Sequence, residues 1–437
     1  MERRFLTGLT SPTPSRGPLR PGKTVTAKHP RGCPGFGSSE RSKEIRLVAR
    51  KVYFAVFGSG MGHATRSLEI ARRLPPSEFE ILFSSSEQGL THFRATGEGN
   101  RTTASPPLDV EWTADGGFSS RSVLPRFPSM FNGFLRQLDF ERGAIARFDP
   151  SVVVSDSKLS VVLAAWSKSK PVITMLNQFK VLFPPRFRNG SGRVFEDIAG
   201  EALGLMWSLS DRVLVTDLPP PFTIGEENLS GLSMARVIEF TGFTVPRVRV
   251  EEQGIQKAKS ALGLDSRPLI YFPISGPDIT KGAFSQIVLR ASKELSKRYN
   301  TVISMGVAGG STEPRKLAGG GWIYDWCPIK DELFELSHVT VARAGLSTIA
   351  QCIDRLKPAI LVPIRNHPEQ ISNAEKFGRL GLGAVIKAER LTPQDLVDSI
   401  ESCATDPSYR RRLEVVSAVS TRYHGVERCA DIIRSMT

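Results

Sequence analysis

The turn Gly58-Ser59-Gly60-Met61-Gly62-His63 lies between a short apolar segment and an amphipathic one. This order predicts a strand, a tight turn and a helix. Glycines let the turn approach a ligand closely, and the first amides of the helix attract anions. The spacing fits neither the dinucleotide fingerprint nor a P-loop. His63 could act as a general base or donate to a substrate, or it could be a helix-cap residue without a catalytic role.

A second polar segment begins at Arg343 and continues Ala-Gly-Leu-Ser-Thr-Ile-Ala-Gln. The apolar segment before it predicts a strand that ends near Gly345, and Ser347 and Thr348 then begin a helix. Amides and hydroxyls at such a helix start can bind a phosphate. Gln351 lies about one turn beyond Thr348, within reach of a sugar hydroxyl. This segment therefore predicts an anion and sugar site.

The next strand, predicted at 359–362, is followed by Glu369-Gln370-Ile371-Ser372-Asn373-Ala374. In a parallel sheet the loops that follow neighbouring strands meet at one edge, so Glu369 and Gln370 are expected beside the phosphate loop. A carboxylate and an amide suit the hydroxyls of a hexose. The alternative is a solvated helix start with no ligand.

The elements that must position these residues alternate along the chain. Strands are predicted at 47–57, 79–84, 151–155, 171–176, 212–216 and 237–240, with helical patterns between several of them. After a charged linker near 247–259, strands are again predicted at 269–272, 301–305, 339–342 and 359–362. Two doubly wound parallel-sheet α/β domains fit this order. The predicted units are 47–245, 246–406, and a long C-terminal helix over 407–437 that crosses back to the first domain.

Length and charge limit the other classes of protein. The chain has 437 residues and a net charge of +14, but the first 50 residues hold 11 Lys/Arg against three Glu, which accounts for +8. The folded remainder is therefore only mildly basic, and no nucleic-acid partner is expected. The basic, Pro-rich segment 1–46 reads as a flexible tail, an over-extended start or an anionic-surface tether. Five scattered Cys predict neither a disulfide framework nor a zinc site, which favours a reducing cytoplasm.

No run of about 18 uninterrupted apolar residues predicts a membrane-spanning helix. Two segments nevertheless interleave apolar and basic residues, at 179–193 and 127–140. Such interleaving suits the surface of an anionic bilayer. Ordinary core packing with solvated charges is an equally good interpretation.

The motifs together resemble one known family. G-x-G-x-G-H in the first half, with G-x-x-T-x-x-[EQ], P-x-x-x-x-P and E-Q-x-x-N-A in the second, is similar to the MurG-like glycosyltransferases of family 28. The loop from Gly60 to Ser67 matches the G-x-G-H-x-x-R-S form found in predicted archaeal and bacterial transferases. The resemblance covers nearly all of 50–435. It implies the GT-B fold, in which two Rossmann-like domains face each other across a cleft.

The resemblance also implies a site for a UDP-sugar donor in the second domain. The loop at Trp326-Cys327 would hold the uracil, and position 351 would meet the ribose. Glu369 and Gln370 would bind the sugar. Other residues of the family motifs would also lie on the donor side, several of them at the diphosphate: Ser275, Gly276, Arg343, Gly345, Ser347, Thr348 and Asn373. The chain departs from the family pattern in having Gln351 where Glu is usual, and Ile274-Ser275-Gly276-Pro277 where Gly-Gly-Ser is usual.

For catalysis, His63 is our first candidate for the base and Asp156, at the end of a predicted strand, is the second. A helix N-cap is the alternative for Asp156. Further residues are expected on the acceptor side of the cleft: Gly60, Gly62, Asp115, Asn177 and Gln178.

The resemblance implies metal-independent, inverting transfer of a hexose or N-acetylhexosamine from a UDP-sugar to an acceptor hydroxyl, with no cofactor. The acceptor is expected to be a lipid-linked molecule or a glycan, and the location cytoplasmic, at the inner face of the membrane for a lipid acceptor. Two alternatives stay open: a UDP-sugar hydrolase of a sialic-acid-like pathway, and a nucleotide-sugar-binding subunit of a split transferase.

Overall fold

The computed structural model describes residues 49–108, 123–180, 182, 188–229, 238–276, 278–307 and 309–437, with backbone only for 123–127. The predicted tail at 1–46 and the candidate Asp115 lie outside these residues. Residues 47–437 form one compact unit.

The first sheet has the strand order β3-β2-β1-β4-β5-β6-β7, and all its neighbouring strands are parallel. Its central strands are buried on both faces, which explains why they read as continuous apolar runs. The strands are β1 Arg50–Val56, β2 Phe79–Ser85, β3 Thr102–Ala104, β4 Val152–Asp156, β5 Val172–Leu176, β6 Arg212–Val215 and β7 Ile238–Phe240.

The second sheet has the order β10-β11-β9-β8-β12-β13-β14. It is parallel except for the edge pair β10 and β11, which is antiparallel. The strands are β8 Leu269–Pro273, β9 Asn300–Ser304, β10 Arg315–Lys316, β11 Trp322–Tyr324, β12 Ser337–Ala342, β13 Ala359–Leu361 and β14 Gly383–Val385. Two Rossmann-like sheets confirm the predicted fold class, and the antiparallel edge strand is an addition to it.

Helices cover the faces of both sheets, as parallel sheets require. In the first lobe they are α1 Gly62–Ala71, α2 Glu87–Ala95, α3 Val123–Phe148, α4 Leu159–Trp166 and α5 Gly190–Trp207. In the second lobe they are α6 Glu252–Leu262, α7 Gly282–Leu295, α8 Lys330–Leu336, α9 Leu346–Asp354, α10 Pro368–Arg379 and α11 Pro393–Thr405. Across the described part of the chain, no helix is both long and apolar enough to cross a membrane.

The prediction of a single C-terminal helix was wrong, because the segment forms α12 Pro407–Ser420 and α13 Gly425–Met436. Helix α12 packs against α9 of the second lobe, whereas α13 packs against α1 of the first. One straight helix does not cover both. Gly425 permits the turn, since any side-chain carbon there would lie 2.4 Å from the Phe243 carbonyl. Ile433 and Cys429 of α13 are fully buried in the core beneath α1.

Candidate active site

The glycine loop places His63 at the edge of the first sheet where β1 and β4 end. Phe57, directly after β1, donates its amide to the Asp156 carbonyl at 3.0 Å, and its ring meets the His63 ring edge-on with centroids 5.6 Å apart. A side chain on Gly58 would collide with Ser86, whose Oγ lies 2.2 Å from the position of such a carbon. Gly60 has φ +85°. The chain therefore turns sharply into α1 and carries His63 in its first turn.

Asp156 holds the His63 ring in place. The carboxylate is completely buried, and it accepts from Ser67 Oγ at 2.8 Å and from Arg66 Nε at 2.7 Å. Burial alone would raise the pKa of Asp156, but the adjacent Arg66 and His63 lower that pKa well below its usual range. His63 Nδ1 lies 2.8 Å from Asp156 Oδ1. Because an ionised carboxylate only accepts, this contact favours a proton on Nδ1, which in the neutral ring leaves the lone pair on Nε2.

This geometry favours an orienting role for Asp156 over the role of base that we considered from the sequence. A carboxylate that is fully buried, ionised and bonded to three donors has no open position for an acceptor proton. It does not cap α4 either, because the N-cap position of that helix is Lys158 and no side chain caps it. His63, about one-fifth exposed, remains the candidate base.

The Arg66 side chain forms hydrogen bonds to residues at the ends of three strands. Its guanidinium bonds to Asp156 at the end of β4, to Asn177 Oδ1 just after β5, and to Thr216 Oγ1 just after β6 at 2.9 Å. The Thr216 hydroxyl also donates to Asn177 Oδ1 at 2.7 Å. Arg66 is part of the loop motif, but no role was predicted for it from the sequence. Its position one helical turn after His63 could have indicated that the two side chains lie close together.

The described acceptor-side candidates lie around this cluster. Gly60 and Gly62 precede His63 in the loop, and Asn177 and Gln178 are half-buried just after β5. The carbonyl of the Asn177 side chain is occupied by Arg66 and Thr216, so its amide nitrogen is the group left for a ligand.

The second sheet brings most donor-side candidates to one edge, as predicted. They follow β8, β11, β12 and β13 at the carboxyl ends of these strands. Those with half-buried or exposed side chains or backbone are Ser275, Gly276, Trp326, Gly345, Ser347, Thr348, Gln351, Glu369 and Gln370.

The structure changes the role of three other donor-side candidates. Cys327 is buried in the core, and burial raises the pKa of its thiol to about 12. Asn373 is buried and donates to the Ala344 carbonyl at 3.3 Å. Arg343 is buried and donates to the carbonyls of Thr280 and Val362. These side chains brace the loops and are not exposed to a donor.

Two of the half-buried candidates already form hydrogen bonds within the protein. Gln370 Oε1 accepts from the Ile364 amide at 3.1 Å and so closes the loop after β13. The Trp326 amide donates to the Ser311 carbonyl at 3.0 Å, which leaves its indole and carbonyl for a nucleobase.

The two lobes meet beside His63. A side-chain carbon on Gly62 would lie 3.7 Å from Ser347 Oγ at the start of α9. Farther along, Lys376 Nζ of α10 lies 2.7 Å from Glu226 Oε2 of the first lobe. The candidate base and the candidate phosphate loop therefore face each other across a narrow gap. Among the described residues, no group of His, Cys, Asp and Glu side chains comes together to hold a metal ion.

The comparison with protein families identifies the second lobe. Residues 280–428 match the model of the glycosyltransferase family 28 C-terminal domain. The chain is a MurG-like glycosyltransferase that carries the family 28 C-terminal domain. It is an enzyme of the GT-B type, and the resemblance predicted from the motifs is confirmed.

Full-length relatives agree with this assignment. An uncharacterised glycosyltransferase of Methanopyrus kandleri is 24% identical over 335 residues, which cover 76% of this chain and 91% of the relative. The UDP-N-acetylglucosamine--N-acetylmuramyl-(pentapeptide) pyrophosphoryl-undecaprenol N-acetylglucosamine transferase 2 of Bacillus cereus is 23% identical over 403 residues, which cover 89% of this chain and 99% of the relative.

Solved structures support the fold of this glycosyltransferase. The glycotransferase of kitacinnamycin superposes with a TM-score of 0.62 at 18% identity, covering 89% of this chain and 99% of that one. The spinosyn rhamnosyltransferase SpnG complexed with thymidine diphosphate gives a TM-score of 0.60 at 15% identity over 89% of this chain and 99% of that one.

Proposed function

We propose that this glycosyltransferase moves a hexose or N-acetylhexosamine from a UDP-sugar to a hydroxyl of a lipid-linked acceptor, with inversion and without a metal ion. The observation that carries the proposal is the His63–Asp156 pair, because His63 directly follows Gly62, the residue that lies against the start of α9. A base on one lobe and an anion site on the other are what such a transfer needs.

The reaction then runs in one displacement. His63 Nε2 takes the proton of the acceptor hydroxyl while the oxygen attacks the anomeric carbon. The bond from that carbon to the diphosphate oxygen breaks, and UDP leaves with the electron pair. Attack from the face opposite to the leaving group inverts the anomeric centre. Asp156 keeps the Nδ1 proton in place and stabilises the imidazolium that forms.

The start of α9 is suited to receive the negative charge of the leaving diphosphate. The amides of Thr348 and Ile349 already donate to the Gly345 carbonyl, which leaves the amides of Leu346 and Ser347 as the free donors of the first turn. The Ser347 hydroxyl is exposed beside them. These amides and the helix dipole would stabilise the developing charge, so the mechanism needs no metal ion.

A similar protein and a structure of the same fold support a UDP-sugar as donor. The Bacillus cereus relative is named for UDP-N-acetylglucosamine, and a nucleoside diphosphate occupies a structure of the same fold. In this chain the half-buried Trp326 and Gln351 and the polar Glu369 would take the base, ribose and sugar respectively, as the family motifs imply.

Exposed apolar side chains on two helices of the first lobe support a lipid-linked acceptor. Phe131 and Leu135 on α3, and Val194, Phe195 and Ile198 on α5, are each between 44% and 64% exposed. Helix α5 follows β5 and so begins at the sheet edge that carries Asn177. Arg136 on α3 and Arg193 on α5 are exposed as well. Apolar side chains with basic neighbours fit a bilayer surface, which for this enzyme would be the cytoplasmic face.

UDP release from a panel of UDP-sugars, measured with and without a total lipid extract, tests the reaction. The proposal expects UDP only in the presence of lipid, with the sugar recovered on a lipid by mass spectrometry. Free sugar released regardless of lipid would instead show a hydrolase, in which His63 activates water. No UDP from any donor would overturn the proposal.

Flotation with anionic liposomes tests whether these exposed apolar side chains bind a membrane surface. Phe195→Ser together with Ile198→Ser should reduce co-flotation and slow transfer to lipid, while UDP binding stays unchanged. The matched control is Trp166→Ser, because Trp166 is 62% exposed but ends α4 at the opposite edge of the sheet. Equal loss in both variants would contradict a specific docking surface.

A further inference from the structure

Arg343 is a buried cation for which the described residues supply no acidic partner. Its guanidinium donates to three carbonyls, those of Thr280 at 2.9 Å, Val362 at 3.2 Å and Pro363 at 3.4 Å. Its positive carbon lies 4.2 Å from the centre of the Phe284 ring. Nε is buried without any hydrogen-bond partner. No carboxylate of the described residues forms an ion pair with it.

This arrangement destabilises the folded protein when no ligand is bound. Burial lowers the pKa of the Arg343 guanidinium to about 10, so the group still carries its charge at neutral pH. Carbonyl dipoles solvate a cation only in part, and a buried charge without a counter-ion destabilises the fold. An anion that binds nearby would offset this cost.

The neighbours of Arg343 are the loops of the proposed donor site. The side chain bonds to Thr280, whose Oγ1 would lie 3.0 Å from a carbon added to Gly276, and Gly276 itself has φ +107°. Two residues after Arg343, Gly345 begins the phosphate loop at α9. The charge therefore lies beneath both turns that would face the diphosphate.

A second buried cation at the same edge behaves differently. Lys281 Nζ is also buried, but it lies 2.8 Å from Asp278 Oδ1 and donates to the Gly306 carbonyl at 2.8 Å. Its charge is compensated, whereas that of Arg343 is not. Lys281 is therefore a matched control for the effect of charge at this position.

We propose that Arg343 is a fixed positive charge that selects donors by the charge of their diphosphate, acting from beneath the site without contacting the ligand. This inference rests on the proposed function only in naming the anion as a nucleoside diphosphate. Arg343 is thus a specificity-determining residue, and its effect should grow with the number of negative charges on the ligand.

Calorimetric titration of UDP, UMP and uridine into the full-length protein tests the proposal. Arg343→Gln should weaken UDP binding by about tenfold or more, UMP binding by about threefold, and uridine binding hardly at all, because Coulomb energy scales with charge. Lys281→Gln should change the UDP-to-uridine ratio less than about threefold. Equal losses for all three ligands in Arg343→Gln would show a purely structural role and overturn the inference.

Arg343→Lys decides the question if the Gln variant does not fold. A lysine keeps the charge but cannot reach three carbonyls with one planar group. A charge role expects the preference for UDP over uridine to persist, whereas a bracing role expects all three ligands to weaken together. A wild-type protein without preference for UDP over uridine would instead count against the proposed donor class, so the two failures are distinguishable.

Discussion

Arg66 and Arg343 hold comparable positions in the two lobes. Arg66 bonds to groups at the ends of β4, β5 and β6, and Arg343, which follows β12, bonds to carbonyls that follow β8 and β13. The Arg66 guanidinium therefore links segments that end three parallel strands, and the Arg343 guanidinium links segments that follow two. They differ in charge balance, because Asp156 neutralises Arg66 and no described carboxylate neutralises Arg343.

Replacing His63 tests the candidate base. His63→Gln should lower kcat by about 10²–10⁴-fold, the usual contribution of general base catalysis, and should leave the affinity for UDP within about threefold. Steady-state kinetics and calorimetry measure the two effects.

The control for this variant is His338→Gln. His338 is exposed at the start of β12 and bonds only to the Ala404 carbonyl among described residues. It should keep full turnover. Wild-type turnover in His63→Gln would remove His63 from the mechanism.

Replacing Arg66 tests how the charge on Asp156 is balanced. In Arg66→Gln the carboxylate would present an uncompensated negative charge to His63, which favours the protonated ring. Activity that requires the neutral ring should then begin at higher pH, so the acid limb of the kcat/KM profile should move to higher pH.

Arg66→Lys restores the positive charge but not the planar group that reaches three strands. Its pH profile should lie close to that of the wild type even if the variant is less stable. Identical profiles for wild type and Arg66→Gln would show that Arg66 has only a structural role.

The fold was predictable because its signals are local. Buried parallel strands read as apolar runs, as in β1 and β4, and glycine turns end them. The edge strands β3 and β10 have few apolar residues, and β14 has only three residues, so these strands gave no such signal.

The roles of single side chains were harder to predict than their location. Asp156, Arg66 and Thr216 are separated by up to 150 residues, and only the folded structure shows that they bond. Arg343 and Asn373 are buried, and their contacts show that they brace loops. Motif matching alone could not show this. The break between α12 and α13 depends on which lobe each helix packs against, a tertiary property.

Asp156 should make the fold sensitive to acid. Its pKa is lower in the folded protein than in the unfolded chain. It therefore contributes stability that is present above about pH 4 and is lost as the pH falls below that value. Asp156→Asn should be destabilised by about 3–5 kcal/mol at pH 7, because it leaves Arg66 buried without its partner. Urea unfolding should show the gap to wild type narrowing at acid pH; a gap independent of pH would contradict the ion pair.

Asp217 should have the opposite pH dependence. It is fully buried and accepts from the amides of Leu218 at 2.7 Å and Gly225 at 2.8 Å. Burial raises its pKa to about 6, against the opposing effect of these amides. A carboxyl with a raised pKa binds its proton more tightly in the folded state, so its contribution to stability falls as the pH rises from 4 to 6.

The variant Asp217→Asn isolates this effect. Asn cannot titrate, and its NH₂ group faces an amide donor in place of one carboxylate oxygen, so the variant should be less stable than wild type at pH 4.5. Between pH 4.5 and pH 7.5 the wild type should lose about 2 kcal/mol relative to the variant, as calculated from the shift. Urea unfolding at the two pH values measures the difference. If the gap between the proteins stays constant, Asp217 does not titrate in this range, and another group must account for any pH dependence of the fold there.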